Sequence, residues 1–417
     1  MNRKISFVLA LFTLVIASGC QKDAKSTVAL STEAKASYNG IGSYQLTSIH
    51  DRAIALDFAG TGKNYVFVYR IGDATAGDDW FNLMQYVSST NTWNLVSSSP
   101  AGGGIGQLNG SGPLYPLTAT PSSDPNNYNE IGGDHVIAFD WNGSGHEDHL
   151  LCYRPGSGMS AVMEWQQGYG WVAVYNHISG GGIGGYDLSS PYDKIISYDY
   201  YNHGKNDCIV CYRPGNGIIW ILYHAPGATD FTPVVKGSAG IGGYDLKGTN
   251  DQVIAYDYDG SGYNNHLILY RPGLGYIWII GHTAGSTNYT TNFSSRTGLG
   301  NFNINLSLEQ DRLLALDFLG NGDATYLFGY RTGSGSAQLF SHASGLNNWA
   351  SPWSSGGSGV GGFPLSYDPG SSPYYGSKMF TFNDNNGLGQ SSLCGYVGGA
   401  NQFFVVGRSQ SAWAPVY

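Results

Sequence analysis

Basic residues are scarce in this chain of 417 residues: 20 lysines and arginines face 29 acidic residues, a net charge of −9. Proteins that bind nucleic acid gather Lys and Arg to neutralise phosphates, so no nucleic-acid partner is expected. Helical periodicity is missing too, since no segment keeps an apolar repeat of 3.6 for more than a turn or two, and the 62 glycines and 31 tyrosines suit tight turns and packed sheets. Beyond residue 19 no apolar run approaches the roughly 20 residues that span a bilayer as a helix. Cysteine is sparse: Cys152, Cys208, Cys211 and Cys394 each sit in an apolar run and read as buried thiols. Cys208 and Cys211 share one strand, and no second pair or histidine set completes a zinc site. Catalytic patterns are lacking as well. His146-Glu147-Asp148-His149 spaces its histidines too closely for HExxH, and no helix follows the glycines of Gly180-x-Gly182-x-x-Gly185. With no nucleophile and base, metal cluster or paired carboxylates readable, the chain is expected not to be an enzyme.

What the chain has instead is a repeat. The strand-ending acid recurs at Asp57, Asp140, Asp199, Asp257 and Asp317, with Asn383 in a sixth copy, at intervals of 83, 59, 58, 60 and 66 residues. A second marker of GIGGYDL type starts at Gly40, Gly104, Gly182, Gly240, Gly298 and Gly359, so six units fill residues 40–417. In the fourth unit Val253–Tyr256, Leu267–Tyr270 and Ile277–Ile280 read as strands A, B and C, with Pro272-Gly273 turning B into C. Phe231–Val235 and Trp413–Tyr417 read as strand D of units three and six. Runs apolar at successive positions are covered on both faces, as in stacked sheets. Four strands per unit in an all-β chain predict a β-propeller of six four-stranded blades, or seven if 26–39 adds strands.

The N-terminus stands outside the repeat. Arg3 and Lys4 precede an apolar run from Ile5 to Ile16, as in a signal peptide over 1–19. Its removal takes the net charge to about −11. Ala17-Ser18-Gly19-Cys20 resembles a bacterial lipobox, which implies lipidation at Cys20, and residues 20–39 read as anchor and flexible tether. Gln21-Lys22-Asp23 resembles the charged tag of surface lipoproteins. The expected location is the outer membrane, on the cell surface or the periplasmic face, with membrane contact through the anchor alone and the protein a monomer.

Between strands A and B of unit four, Asp257, Asp259, Ser261 and Asn265 occupy alternate positions of a glycine loop, and unit two offers Asp140, Asn142, Ser144 and Asp148 at the same offsets. Oxygens on alternate residues of a tight turn suit Ca²⁺, here weakly, at roughly 10⁻⁴ to 10⁻³ M. The other reading is an Asx-type turn held by its own side chains. These loops and the Tyr-Arg-Pro turns resemble the FG-GAP or VCBS repeats of integrin-like propellers, over all six units. Only units two and four keep the ligand pattern; Tyr201, His203, Leu319 and Ala59 break it elsewhere.

Five units open strand A with Asp51, Asp134, Asp193, Asp251 or Asp311 and close strand B with Arg70, Arg154, Arg213, Arg271 or Arg331. Unit six has Ser377 and Val397 there, and the joint loss predicts an ion pair within each blade. Trp220 and Trp278 read as packing between blades, and His224, His282 and His342 as structural plugs.

Function is expected where the repeat breaks. Marker to strand A takes 11 residues in units one, three and four, but 30 in unit two and 18 in unit six. The added loops hold Tyr115, Tyr128, Tyr374 and Tyr375, and the longer B–C turn of unit one adds Asp78 and Asp79. Units six, one and two are consecutive in a closed ring, so these residues are expected to form one ligand site. Tyrosines and acids there suit a glycan or a polar protein surface. The resemblance to fungal propeller lectins implies glycan binding; that to integrin heads, a protein-binding scaffold or adhesin; that to polysaccharide lyases with Ca²⁺ loops, a glycan-active enzyme.

Overall fold

The computed structural model describes residues 40–72, 77–107, 113–121, 131–300, 302–365, 376–383, 391–409 and 412–415. Six four-stranded antiparallel sheets follow one another along the chain, each an unbroken A-B-C-D meander. In unit four the strands are Gln252–Tyr256, His266–Arg271, Tyr276–Gly281 and Thr290–Ser295. The predicted A, B and C runs lie inside them.

The A strands, Asp51–Leu56, His135–Phe139, Lys194–Tyr198, Gln252–Tyr256, Asp311–Leu316 and Lys378–Phe382, abut one another in ring order and so surround the axis. The B strands are buried almost throughout, because sheets pack on both their faces. The D strands are largely exposed in blades one, four and five and mostly half-buried in blade three.

The core is six apolar clusters, each shared by two adjacent blades. One joins the last blade to the first: Phe382, Phe403 and Val405 pack with Ile41, Tyr44 and Trp93. Backbone bonds from Gly40 N to Asn401 O and from Asn64 N to Asn383 O close the same seam. The ring is therefore complete with six blades, and no gap remains for a seventh.

The repeat marker has a steric basis. Its first glycine turns the chain at positive φ, and a Cβ on Gly182, Gly240 or Gly359 would stand 1.8, 1.8 or 1.9 Å from the carbonyl oxygen of Tyr186, Tyr244 or Phe363. The turn is pinned by bridges such as Ile241 to Tyr244. In unit two an insertion opens this turn into a small hairpin, Ile105–Gln107 with Pro113–Tyr115, and Ile105 still pairs with Tyr115.

Candidate functional site

The repeated acid and base meet as expected. Arg271 Nε and Nη2 reach the two oxygens of Asp251 at 2.7 and 2.8 Å, and the same fork joins Arg70 to Asp51, Arg154 to Asp134, Arg213 to Asp193 and Arg331 to Asp311. The aspartates are fully or almost fully buried. In four blades the marker tyrosine, Tyr44, Tyr115, Tyr186 or Tyr244, adds a third bond from its hydroxyl. The histidines are plugs. His224 bonds carbonyls of Trp141 and Ala228, while His282 and His342 reach Tyr198 and Tyr256 of the preceding blade at 3.1 and 2.6 Å. Burial lowers all three imidazoles below the ordinary range. Cys152, Cys208, Cys211 and Cys394 are free and buried.

The glycine loops have the geometry of self-bonded turns. Asp257 accepts backbone N–H from Ser261 and Gly262 at 2.9 and 2.8 Å, and Asp140 accepts those of Ser144 and Gly145 at 2.8 and 2.7 Å. Asp57, Asp199 and Asp317 make the same bonds in loops that lack the ligand pattern. The recurrent acid thus has a turn-holding role in every loop where it occurs. In unit four the other side chains gather around that acid, since Asp259 shares a hydrogen bond with Asp257, Ser261 Oγ donates to Asp257 at 3.2 Å and Asn265 Nδ2 to Ser261 Oγ at 3.2 Å; Asn265 Oδ1 lies 2.5 Å from His266 Nδ1, and in unit two Asp148 lies 2.5 Å from His149 Nδ1. Among the described residues no group of three or more His, Cys, Asp or Glu is gathered as metal ligands. The bonds to backbone N–H account for the recurrent acid, and Asp257 with Asp259 and Ser261 would be the oxygens that hold Ca²⁺ in unit four. Asp257→Ala is expected to reduce the unfolding free energy by about 1–3 kcal/mol, since two backbone donors lose their acceptor. Urea denaturation in chelator should show that loss in full; a loss seen only with added Ca²⁺ would assign the loop to a cation.

The loop site expected around blades six, one and two needs correction. Tyr115 is fully buried and donates its hydroxyl to Asp134, so it is the marker tyrosine of blade two and has no surface for a ligand. Asp79 is 2% exposed and accepts Leu117 N, tying the B–C turn of blade one to blade two. Asp78 is exposed at the rim, where its charge acts on Arg70 and His50. Tyr128, Tyr374 and Tyr375 lie outside the described residues, as does Cys20.

Sequence reasoning missed a cleft of about 430 Å³ between blades one and two. One wall is Phe81 with the run Ser97 to Gly104, from strands C and D of blade one and the segment after them; the other is Trp165, Tyr169 and Trp171 from the C–D hairpin of blade two. Both walls belong to outer strands, so the cleft lies on the flank of the ring. Tyr169 sits at the hairpin tip between Gly168 and Gly170, both at positive φ, and is 79% exposed. With Trp165 and Trp171 on the same wall, Tyr169 extends an aromatic surface of the kind found in ligand-binding grooves. Trp165 and Trp171, on the same wall, meet each other in an edge contact at 5.6 Å, and Phe58 packs on both. That anchoring to the core makes the aromatic wall stiff. Among the described residues that line the cleft none is charged, and the opposing wall offers Ser97, Ser98 and Ser99 hydroxyls and glycine backbone. Such a surface can stack on an apolar ring face and hydrogen-bond neutral hydroxyls.

No protein-family model matches this sequence, and no curated protein sequence does. Among solved structures the chain is similar to a lectin of Agrocybe aegerita described as recognising non-reducing terminal N-acetylglucosamine, with 15% identity, a TM-score of 0.46, and 90% of this chain and 80% of that one covered. It is also similar to a putative 6-phosphogluconolactonase of Bacteroides uniformis, with 10% identity, a TM-score of 0.44, and 84% and 80% covered. The periplasmic gluconolactonase of Pseudomonas aeruginosa gives 9% identity, a TM-score of 0.37, and 70% and 82% covered. These likenesses concern the fold and carry no argument about ligand or reaction. They do correct one expectation: with propellers of lactonase title among its likenesses, the chain is not set apart from enzymes, and the reading that it is not an enzyme is withdrawn.

Proposed function

We propose that this protein binds a neutral carbohydrate in the cleft between blades one and two. The observation that carries the reading is Tyr169, exposed at a hairpin tip on the same wall as Trp165 and facing an uncharged wall of serines and glycines. A pyranose has a weakly polar C–H face and a rim of hydroxyls, and this cleft offers a partner to each. The lack of charge in the lining favours a neutral sugar over a uronic or sulfated one. A glycan array with the purified protein tests the class, and titration of the best hit tests the site. Tyr169→Ala is expected to weaken that binding roughly tenfold or more, while stability moves by less than about 0.5 kcal/mol because the side chain is mostly in solvent. Undiminished affinity in the variant would remove the cleft from consideration, and an array without hits would remove the carbohydrate reading.

Two finer proposals rest on sequence alone. The lipobox resemblance at Cys20 supports anchoring at the outer membrane; metabolic labelling with a radioactive fatty acid should mark the native chain and leave Cys20→Ser unlabelled. The Asp-rich loops and Tyr-Arg-Pro turns support kinship with FG-GAP or VCBS repeats, for which a structure-guided alignment of the six units is the test.

A further inference from the structure

A second groove, of about 490 Å³, lies between blades three and four, at the same place in the repeat as the cleft between blades one and two. In each, one wall is the end of a D strand with the marker glycines that follow it, and the other comes from the C–D connection of the next blade. Strand register gives the match residue by residue. Ser98 pairs with Asn82 in blade one and Lys236 with Trp220 in blade three, and each of these partners follows the residue, Phe81 or Ile219, that faces Tyr69 or Tyr212 of strand B. Trp171 pairs with Trp165, and Tyr289 meets His282 at 4.5 Å; Trp165 and His282 both stand two residues after the strand C residue opposite Leu150 or Leu267. Lys236 therefore takes the place of Ser98, and Tyr289 that of Trp171. The groove repeats with the fold, and its chemistry changes with the side chains that line it.

The change is a charge. Where the first cleft has the Ser98 hydroxyl, the second has the exposed Lys236, its ammonium held 4.4 Å from the centroid of the Trp220 ring. That contact fixes the end of a side chain that otherwise samples many rotamers, and an ammonium on a ring face keeps N–H donors turned away from it. Trp220 is itself packed against the core and meets Tyr186 edge-on at 5.7 Å. Among the described residues no carboxylate pairs with Lys236, and among those that line the groove it is the one charged side chain. With its hydroxyl directed to Tyr198 at 3.4 Å, the half-buried Tyr289 offers the groove its ring, and the exposed Thr287 adds a hydroxyl. An aromatic face, a hydroxyl and one cation match the face, rim and charge of a pyranose that carries a carboxylate.

We propose that the groove between blades three and four binds an acidic sugar, a uronic acid residue, with Lys236 as the partner of its carboxylate and Tyr289 against its ring. That the ligand is a sugar rests on the reading of the first cleft; that it is acidic rests on Lys236. A hydrogen bond from an ammonium to a carboxylate is roughly twice as strong as one between neutral groups, so this groove prefers the acidic sugar to its neutral counterpart, the reverse of the uncharged first cleft. The two preferences stand two blades apart on one chain.

Titration calorimetry of the purified protein with glucuronate and galacturonate oligosaccharides, beside their neutral glucose and galactose counterparts, tests the proposal. Acidic oligosaccharides are expected to bind saturably, with affinity reduced at least about tenfold in Lys236→Met, largely kept in Lys236→Arg and unchanged in Tyr169→Ala. Lys236 is exposed, so its replacement should leave the fold intact. Acidic-sugar binding that survives Lys236→Met, or that vanishes in Tyr169→Ala, would overturn the proposal, as would the absence of any acidic-sugar binding. Neutral-sugar binding and its loss in Tyr169→Ala are read separately and bear on the first cleft, so failure there and failure here are distinct results.

Discussion

Replacing Arg271 alone by valine is expected to lower the free energy of unfolding by about 3–5 kcal/mol, because Asp251 is left buried with its charge unmatched. Asp251 is fully buried, and four bonds hold it: two from Arg271, one from the Tyr244 hydroxyl and one from Gly248 N. Blade six shows how the arrangement can be given up as a unit, since Ser377, Val397 and Phe363 stand where blades one to four have Asp, Arg and Tyr. The triple change Tyr244→Phe, Asp251→Ser and Arg271→Val in blade four is therefore expected to lose less than the single Arg271→Val. Blade five keeps its ion pair with Ile304 at the tyrosine position, so the hydroxyl is the lesser member and the pair the essential one. Urea denaturation of the single and triple variants measures the coupling. A triple variant less stable than Arg271→Val would show that the three residues do not act together.

Acid should weaken the fold through His135. Its ring stacks on Tyr153, and burial first, with the charge of Arg52 second, lowers its pKa to about 4, against about 6.5 in an unfolded chain. Between those values the unfolded chain binds the proton and the folded chain does not, so stability present above about pH 6.5 is lost as pH falls towards 4. The loss amounts to about 3 kcal/mol for this group. Carboxylates raised by burial, such as Asp134 and Glu147, act in the opposite direction over part of the same range, so the comparison must be with a variant rather than with wild type alone. His135→Gln puts in blade two the residue that blade four already holds at this position, Gln252. The stability of the variant relative to wild type should rise by about 3 kcal/mol between pH 7 and pH 4. A difference that stays constant with pH would mean that His135 titrates as in solution.

The blades were legible in the sequence because each unit repeats the same physical solution: an apolar B strand buried on both faces, an ion pair at its end and a glycine turn that no Cβ can enter. The strand limits of unit four and the five pairs follow from that pattern. Tyr115 was misread because an insertion splits the marker of unit two; the signal was there in Tyr115-Pro116-Leu117, which copies the Tyr-Asp-Leu of Tyr244-Asp245-Leu246. Asp79 looked available because only folding shows that Leu117 N claims its carboxylate. The cleft could not be found by period, since Phe81 and Tyr169 belong to different units and meet only through the packing of blades one and two. An aromatic flanked by two glycines was its one local trace.

The carbohydrate reading stands or falls on a crystal structure of the protein with the best sugar from the array. The account predicts a pyranose ring within van der Waals distance of the Tyr169 and Trp165 faces, its hydroxyls bonded to the Ser97 to Ser99 wall. A sugar seated anywhere else on the ring, with the cleft between blades one and two left to water, would contradict it.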